Sequence, residues 1–486
     1  MKRFAILLVF LLVGLSVAQR QRPRDFTAAR DLSVILGRPT SSSITVSVLV
    51  PEAVDAFIES GTRATALASK TSVLQATPDK PVEFLLGQLE PNTRYFYRLL
   101  TRGRNQSTFR PGEEQTFHTQ RASGSTFVFG VQGDSHPERL NRMYHPDLYL
   151  RTMDHVRKHR PDFYLTLGDD FSVEHLYNQD NLNLQTVGEL YRNQRNFLGR
   201  MASSTALYLV NGNHEQAARH LLTGKEDSVP VIVGKSRLLW FPLPAPDSFY
   251  TGNQDPIEFV GLPRDYYAWQ WGDALFVTID PYWHSPVQID SGIGGKQSKD
   301  GNRDRKGGRR GDGWATTMGD AQYQWLKNTL ERSKAKYKFV FAHHVLGTGR
   351  GAVELADLYE WGGKSRNGEW EFDKRRPGWA MPVHQLFVKH GVTIFFQGHD
   401  HLFARQAKDG VIYQETPNPA DSTYDTFNKE AYRSGDILPN AGYLRVTVSP
   451  QQAKVDYIRA WLAKDETPQH KDGEVAFSYT VSPRAQ

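Results

Sequence analysis

Six short segments each place metal-binding side chains directly behind an apolar, strand-like run. They are Gly133-Asp134-Ser135-His136, Gly168-Asp169-Asp170, Gly212-Asn213-His214-Glu215, Ile279-Asp280-Pro281-Tyr282-Trp283-His284, Ala342-His343-His344 and Gly398-His399-Asp400-His401. Carboxylate, amide oxygen and imidazole are the donors that zinc, iron and manganese accept. Two such ions held ~3.5 to 4 Å apart need about this supply, and a pair of that kind activates water for attack on an ester. Taken one at a time, each segment also fits a turn or a satisfied surface pair. Six of them, in order and all behind strands, point to a single pocket.

The elements that would position them alternate. Apolar, β-branched or aromatic runs at 127–132, 163–167, 207–210, 275–279, 339–341 and 392–396 predict strands, and helical spacing at 147–159, 184–200, 320–335 and 381–390 predicts helices between them. Strands alternating with helices imply an α/β domain, in which ligands bind at the carboxyl edge of the sheet. Segments 443–448, 454–459 and 475–481 read as closing strands.

Gly-Asn-His-Glu at Gly212 to Glu215, followed downstream by Gly-His-x-His at Gly398 to His401, resembles the calcineurin-like metallophosphoesterases. The resemblance is closest to the exported branch that includes purple acid phosphatases and related alkaline phosphatases or phosphodiesterases, and it covers Phe127 to about Phe403. It implies a layered α/β/β/α domain over residues 126–482 that hydrolyses phosphate monoesters or diesters. It also implies two divalent or mixed-valence ions of zinc, iron or manganese. Asp134, His136 and His401 would serve the first metal, Asp169 would bridge, and Asn213, His343 and His399 would serve the second. His214 would assist the leaving group, with Glu215 orienting it. Two positions depart from the pattern. Purple acid phosphatases carry a tyrosine three residues after the bridging aspartate, where this chain has Ser172, so a tyrosinate-ferric centre is not expected. Val345 stands where the family often has proline, so the choice of His343 over His344 rests on spacing.

The remaining chain frames this domain. A basic start at Lys2 and Arg3, an apolar run from Phe4 to Leu15 and small residues at Ser16 and Ala18 fit an export signal over 1–18, too short for a membrane span. The expected location is secreted or periplasmic. Residues 24–121 read as an all-β sandwich resembling a fibronectin type III-like domain, with alternation through Ile44, Val46, Val48 and Val50 and a tyrosine corner near Tyr95. With no cysteine among 486 residues, disulfides, thiolate metal sites and cysteine nucleophiles are excluded. The net charge of +6 is concentrated in a Gly-rich basic loop, 294–311, and in 364–376. Trp283, Trp314, Trp361, Trp370 and Trp379 lie in the same insertions. They fit either packing anchors or a stacking surface for a nucleobase. The expected partner is a small-molecule phosphoester, which a nucleotide would satisfy; no protein partner is expected. The competing reading is an exported binding or adhesion protein on an inactive fold, and the complete ligand set and His214 argue against it.

Overall fold

The computed structural model describes residues 32–289, 313–345 and 349–483. The export signal and the basic loop 294–311 lie outside the described residues. Residues 33–118 are all β: β1 (Ser33–Gly37), β2 (Ile44–Leu49), β3 (Val54–Gly61), β4 (Ser69–Lys70), β5 (Leu74–Ala76), β6 (Val82–Leu86), β7 (Arg94–Gly103), β8 (Arg110–Pro111) and β9 (Gln115–His118). One sheet runs β1-β2-β6, and the other is built on β3 and β7 with β4, β5, β8 and β9 at its margins. Between them Ile44, Val46, Val48, Phe84, Tyr95 and Phe117 form the core. The tyrosine corner is present: the Glu90 N–H donates to Tyr95 Oη at 2.9 Å. Alternation in β2 predicts one wet face, yet Thr45, Ser47 and Leu49 are buried as well. Their face abuts the second part of the molecule, where Ile35 and Leu49 pack with Leu198 and Met201.

That second part comprises β10 (Phe127–Gln132), α1 (Pro146–His159), β11 (Phe163–Thr166), α2 (Glu174–Asn178), α3 (Leu184–Ala202), β12 (Ala206–Leu209) and α4 (Val229–Trp240) in its first half. Next come β13 (Thr251–Gly252), β14 (Tyr267–Trp271), β15 (Ala274–Thr278), α5 (Asp320–Arg332), β16 (Tyr337–Phe341), α6 (Tyr359–Gly362), α7 (Phe372–Arg375), α8 (Val383–Lys389) and β17 (Ile394–Gln397). It closes with β18 (Phe403–Lys408), β19 (Val411–Glu415), β20 (Asp436–Leu438), β21 (Gly442–Val448), β22 (Ala453–Arg459) and β23 (Val475–Val481).

Two sheets result, one ordered β12-β11-β10-β21-β22-β23 and the other β13-β14-β15-β16-β17-β19-β18-β20. They pack through phenylalanines: the Phe129 ring lies 5.1 Å from Phe276 and 5.3 Å from Phe339, and Phe163 lies 5.0 Å from Phe276. Each such side chain, fully buried, stabilises the pair by roughly 1.5 to 3 kcal/mol. Helices α1, α3 and α4 cover the first sheet, and α5 and α8 cover the second, completing the α/β/β/α layers. Asn183 caps α3 by accepting from the N–H groups of Gln185 and Thr186. Strands β10, β11 and β12 are mutually parallel, as are β15, β16 and β17. Their carboxyl ends therefore bring the motif-bearing loops to one edge.

Candidate metal centre

At that edge two carboxylates are almost fully buried, Asp134 and Asp169, each 1% exposed. Asp134 ends β10. Its Oδ2 accepts from His401 Nε2 at 2.9 Å, and its Oδ1 accepts the His399 N–H at 2.7 Å. Asp169 follows β11. Its Oδ2 lies 3.2 Å from His343 Nε2, 3.6 Å from His136 Nε2 and 4.0 Å from His214 Nε2, while its Oδ1 accepts the His214 N–H at 2.8 Å. His343 Nε2 stands 3.0 Å from Asn213 Oδ1 and 3.1 Å from His399 Nδ1. All seven predicted ligand positions and His214 are thus gathered in one place.

The turns that achieve this are strained. Asp169, His136, His399 and His401 adopt φ of 50°, 48°, 78° and 54°, a left-handed region non-glycine residues seldom occupy and which clusters at functional sites. Neighbouring glycines make room for the acids. A Cβ on Gly212 would lie 2.2 Å from Asp169 Oδ1, and one on Gly398 would lie 2.7 Å from Asp134 Oδ1.

Several observations fit a pair of cations. His136 Nε2 is buried without a hydrogen-bond partner and faces both carboxylates at 3.6 and 3.7 Å. His343 Nδ1 is 2.8 Å from the Leu167 carbonyl and His136 Nδ1 is 2.7 Å from Glu138, which leaves each Nε2 turned inward, the arrangement metal-binding imidazoles adopt. Burial would lower His343, yet Asp169 and Asp134 hold it up to about 10, so the pocket calls for positive charge. Burial opposes ionisation of Asp169, but His343 and His214 keep it far below the usual carboxylate range. Burial holds His401 down to about 3 despite Asp134, leaving a neutral imidazole able to act as a donor. Among the described residues four overlapping donor groupings occur here: Asp134, His136 and His401; Asp134, Asp169, His343 and His399; His136, Asp169 and His214; and His343, His344 and His399. His343 rather than His344 faces Asp169 and Asn213; His344 Nδ1 is 3.0 Å from Tyr282 Oη.

The environment of His214 differs from the sequence expectation. Glu215 does not orient it: that carboxylate accepts the N–H groups of Gly212, Asp170 and Asp169 at 2.7, 2.7 and 3.1 Å and so pins the two turns together. Glu174, at the start of α2, takes the orienting place with Oε1 2.6 Å from His214 Nδ1, and Gln216 Nε2 donates to the same oxygen at 3.0 Å. Ser172 also donates to Glu174. Burial would lower His214, but Asp169 and Glu174 raise it to about 9. Glu174 and Glu138 carry no spacing signal, because each is set by how a loop folds back. The other acids are structural. Asp170 accepts from Thr166 and Gln194, and Asp400 from Arg350, the Gly351 N–H and Tyr432. Asp280 caps the end of β15 through the Tyr282 N–H, and His284 pairs with Asp265 at 2.8 Å.

Four of the five insertion tryptophans are packing anchors. Trp283, Trp314, Trp361 and Trp379 are buried, and the Arg376 guanidinium lies 5.6 Å from the Trp314 ring and 5.5 Å from the Trp379 ring while pairing with buried Glu360 at 3.0 Å. Trp370 is exposed and donates to Asp373.

A layered α/β/β/α domain whose strand ends converge on overlapping acid and imidazole sets has the donors that a metal-dependent hydrolase needs. The sequence model described as calcineurin-like phosphoesterase matches residues 127–403, more than half of the chain, and the chain belongs to that family. It is a metal-dependent phosphoric ester hydrolase. Among solved structures, that of PhoD is similar over 93% of this chain and 90% of that chain, with 17% identity and a TM-score of 0.60, so the two share a fold. GAP50, the anchor in the inner membrane complex of Plasmodium, is similar over 74% of this chain and 90% of that chain at 13% identity, with a TM-score of 0.39. A search of curated proteins finds no significant match. Among the described residues no helix is long and apolar enough to cross a membrane.

Proposed function

We propose that this chain is an exported two-metal phosphoesterase acting on phosphate monoesters or diesters. The observation that carries this reading is the position of Asp169 Oδ2, 3.6 Å from His136 Nε2 on one side and 3.2 Å from His343 Nε2 on the other. A single carboxylate between two imidazole sets is suited to bridging. On this reading Asp134, His136, Asp169 and His401 hold one ion, and Asp169, Asn213, His343 and His399 hold the other, with zinc, iron or manganese matching the donors. When bound, such a pair lowers the pKa of a shared water and offsets phosphoryl charge.

The chain's own groups supply the rest. Glu174 fixes the His214 ring through Nδ1, which leaves Nε2 4.0 Å from Asp169 Oδ2 and 3.2 Å from Arg139 Nη2. From there an imidazolium donates its proton to the departing oxygen. Burial of the carboxylates keeps bulk water from competing for the donors. Position 172 offers a serine hydroxyl bound to Glu174 and no phenol.

The test is metal analysis of the purified protein together with hydrolysis of p-nitrophenyl phosphate and bis(p-nitrophenyl) phosphate in added zinc, manganese or iron. About two ions per chain and metal-dependent turnover of at least one ester are expected. Failure on both esters would overturn the reading. Export is tested separately, by N-terminal sequencing of the mature protein for removal of 1–18.

A further inference from the structure

Arg139 follows His136 in one tight turn. Pro137–Arg139 form a single turn of 3-10 helix, His136 enters it at φ 48°, and the Arg139 N–H donates to the His136 carbonyl at 2.9 Å. This turn directs the His136 imidazole towards the carboxylates and brings the Arg139 guanidinium beside His214, with Nη2 3.2 Å from Nε2. Side-chain exposure rises from 1% at Asp169 through 19% at His214 to 30% at Arg139, so the arginine stands at the solvent end of the pocket. Its other contacts are weak: Nη1 faces Met143 Sδ at 3.5 Å, and Nε is 3.6 Å from Glu138, whose carboxylate is committed to His136 Nδ1 at 2.7 Å. Nη2 stands against an imidazole rather than a carboxylate.

We propose that Arg139 is a substrate-binding residue that clamps a non-bridging phosphoryl oxygen and biases the enzyme towards phosphate monoesters. The inference rests on the phosphoesterase reading above. A phosphoryl group whose leaving oxygen reaches His214 Nε2 comes within reach of a charged donor 3.2 Å away. Guanidinium matches phosphate oxygens in geometry as well as charge. A monoester dianion has three non-bridging oxygens: two would be left for the cations that Asp134 and Asp169 would hold, and the third meets Arg139. A diester has two such oxygens and one charge fewer, and it brings an ester substituent to the place where the guanidinium stands.

The experiment compares wild type with Arg139→Met and Arg139→Lys. Its readouts are metal content, calorimetric binding of inorganic phosphate, and steady-state kinetics on p-nitrophenyl phosphate and bis(p-nitrophenyl) phosphate. With Arg139→Met, metal content stays the same, while the phosphate Kd and the monoester KM rise about 10- to 100-fold. Diester kcat/KM falls by a clearly smaller factor than monoester kcat/KM. Arg139→Lys recovers only part of the monoester preference, because an ammonium keeps the charge and loses the fork; it also serves as the probe should the methionine variant fail to fold. Equal losses on both esters, unchanged phosphate binding or loss of metal would overturn the proposal. A wild type inactive on both esters would instead overturn the phosphoesterase reading, and phosphate binding would then decide Arg139 by itself.

Discussion

His214 and Asp169 are neighbours with different duties, and substitution separates them. Asp169→Ala withdraws the carboxylate that both imidazole sets face, so metal content at both sites and activity should fall together, read by elemental analysis and turnover. Near-normal turnover with two ions bound would count against the bridging assignment. His214→Ala should retain the metals while lowering kcat by roughly 10² to 10⁴, the range for a lost general acid. That loss should be larger for alkyl esters than for nitrophenyl esters, which leave without help. Glu174→Gln should show the same dependence on leaving group with a smaller loss of about 10- to 100-fold, since it disturbs the ring that does the work rather than removing it. A Glu174 variant that empties a metal site would refute the orienting role. That these side chains gather at one edge is legible from sequence, because each trails a strand by two to four residues. Glu174 was not legible: a 40-residue separation from His214 is bridged only by the fold, and Glu215, the neighbour in sequence, is turned to backbone N–H groups instead.

Turns at strand ends hold the carboxylates, and glycine makes two of them possible. Gly212→Ala would put a methyl 2.2 Å from Asp169 Oδ1, so metal affinity should fall even if the fold survives, as titration of the variant with zinc would show. Among the helices, α1, α3 and α5 were legible because their buried residues recur at helical spacing. Helix α4 was not: Pro230, Val231, Ile232, Val233 and Gly234 are all buried in succession, which erases the amphipathic signal. Strand β14 escaped for a related reason, its Trp269 and Trp271 being core residues of a hairpin closed by Gly272 and Asp273. At the end of α1, His159 packs on β21 beside the Tyr443 hydroxyl. Burial, aided by Arg445, lowers it from 6.5 to about 4. Between those values the unfolded chain binds a proton that the folded chain does not, so stability falls as pH drops from about 6.5 to about 4. His159→Gln should flatten that part of a plot of Tm against pH; an unchanged slope would assign it elsewhere.

The two parts of the molecule are joined by buried polar contacts as well as apolar ones. Arg195 on α3 is fully buried and donates to the carbonyls of Trp240 and Ser47, each at 2.6 Å, so one guanidinium ties α4 to β2. Tyr97 donates to the Ser203 carbonyl at 2.5 Å, and Tyr250 to that of Pro39 at 2.5 Å. Arg195→Ala removes both of these buried hydrogen bonds together with the side chain that fills the joint, and denaturant unfolding should register a loss of about 2 to 5 kcal/mol. A change below about 0.5 kcal/mol, the scale of surface substitutions, would show that the joint is not structural. The apolar side of the same joint bears on how the chain comes into being. Ile35 and Leu49 are covered by Leu198 and Met201 of α3, which a ribosome makes long after the sandwich has emerged. During that interval the oldest part of the chain carries a greasy flank that later-made residues go on to shield. Residues 32–121 expressed alone should therefore bind a hydrophobic dye that the whole protein leaves dark.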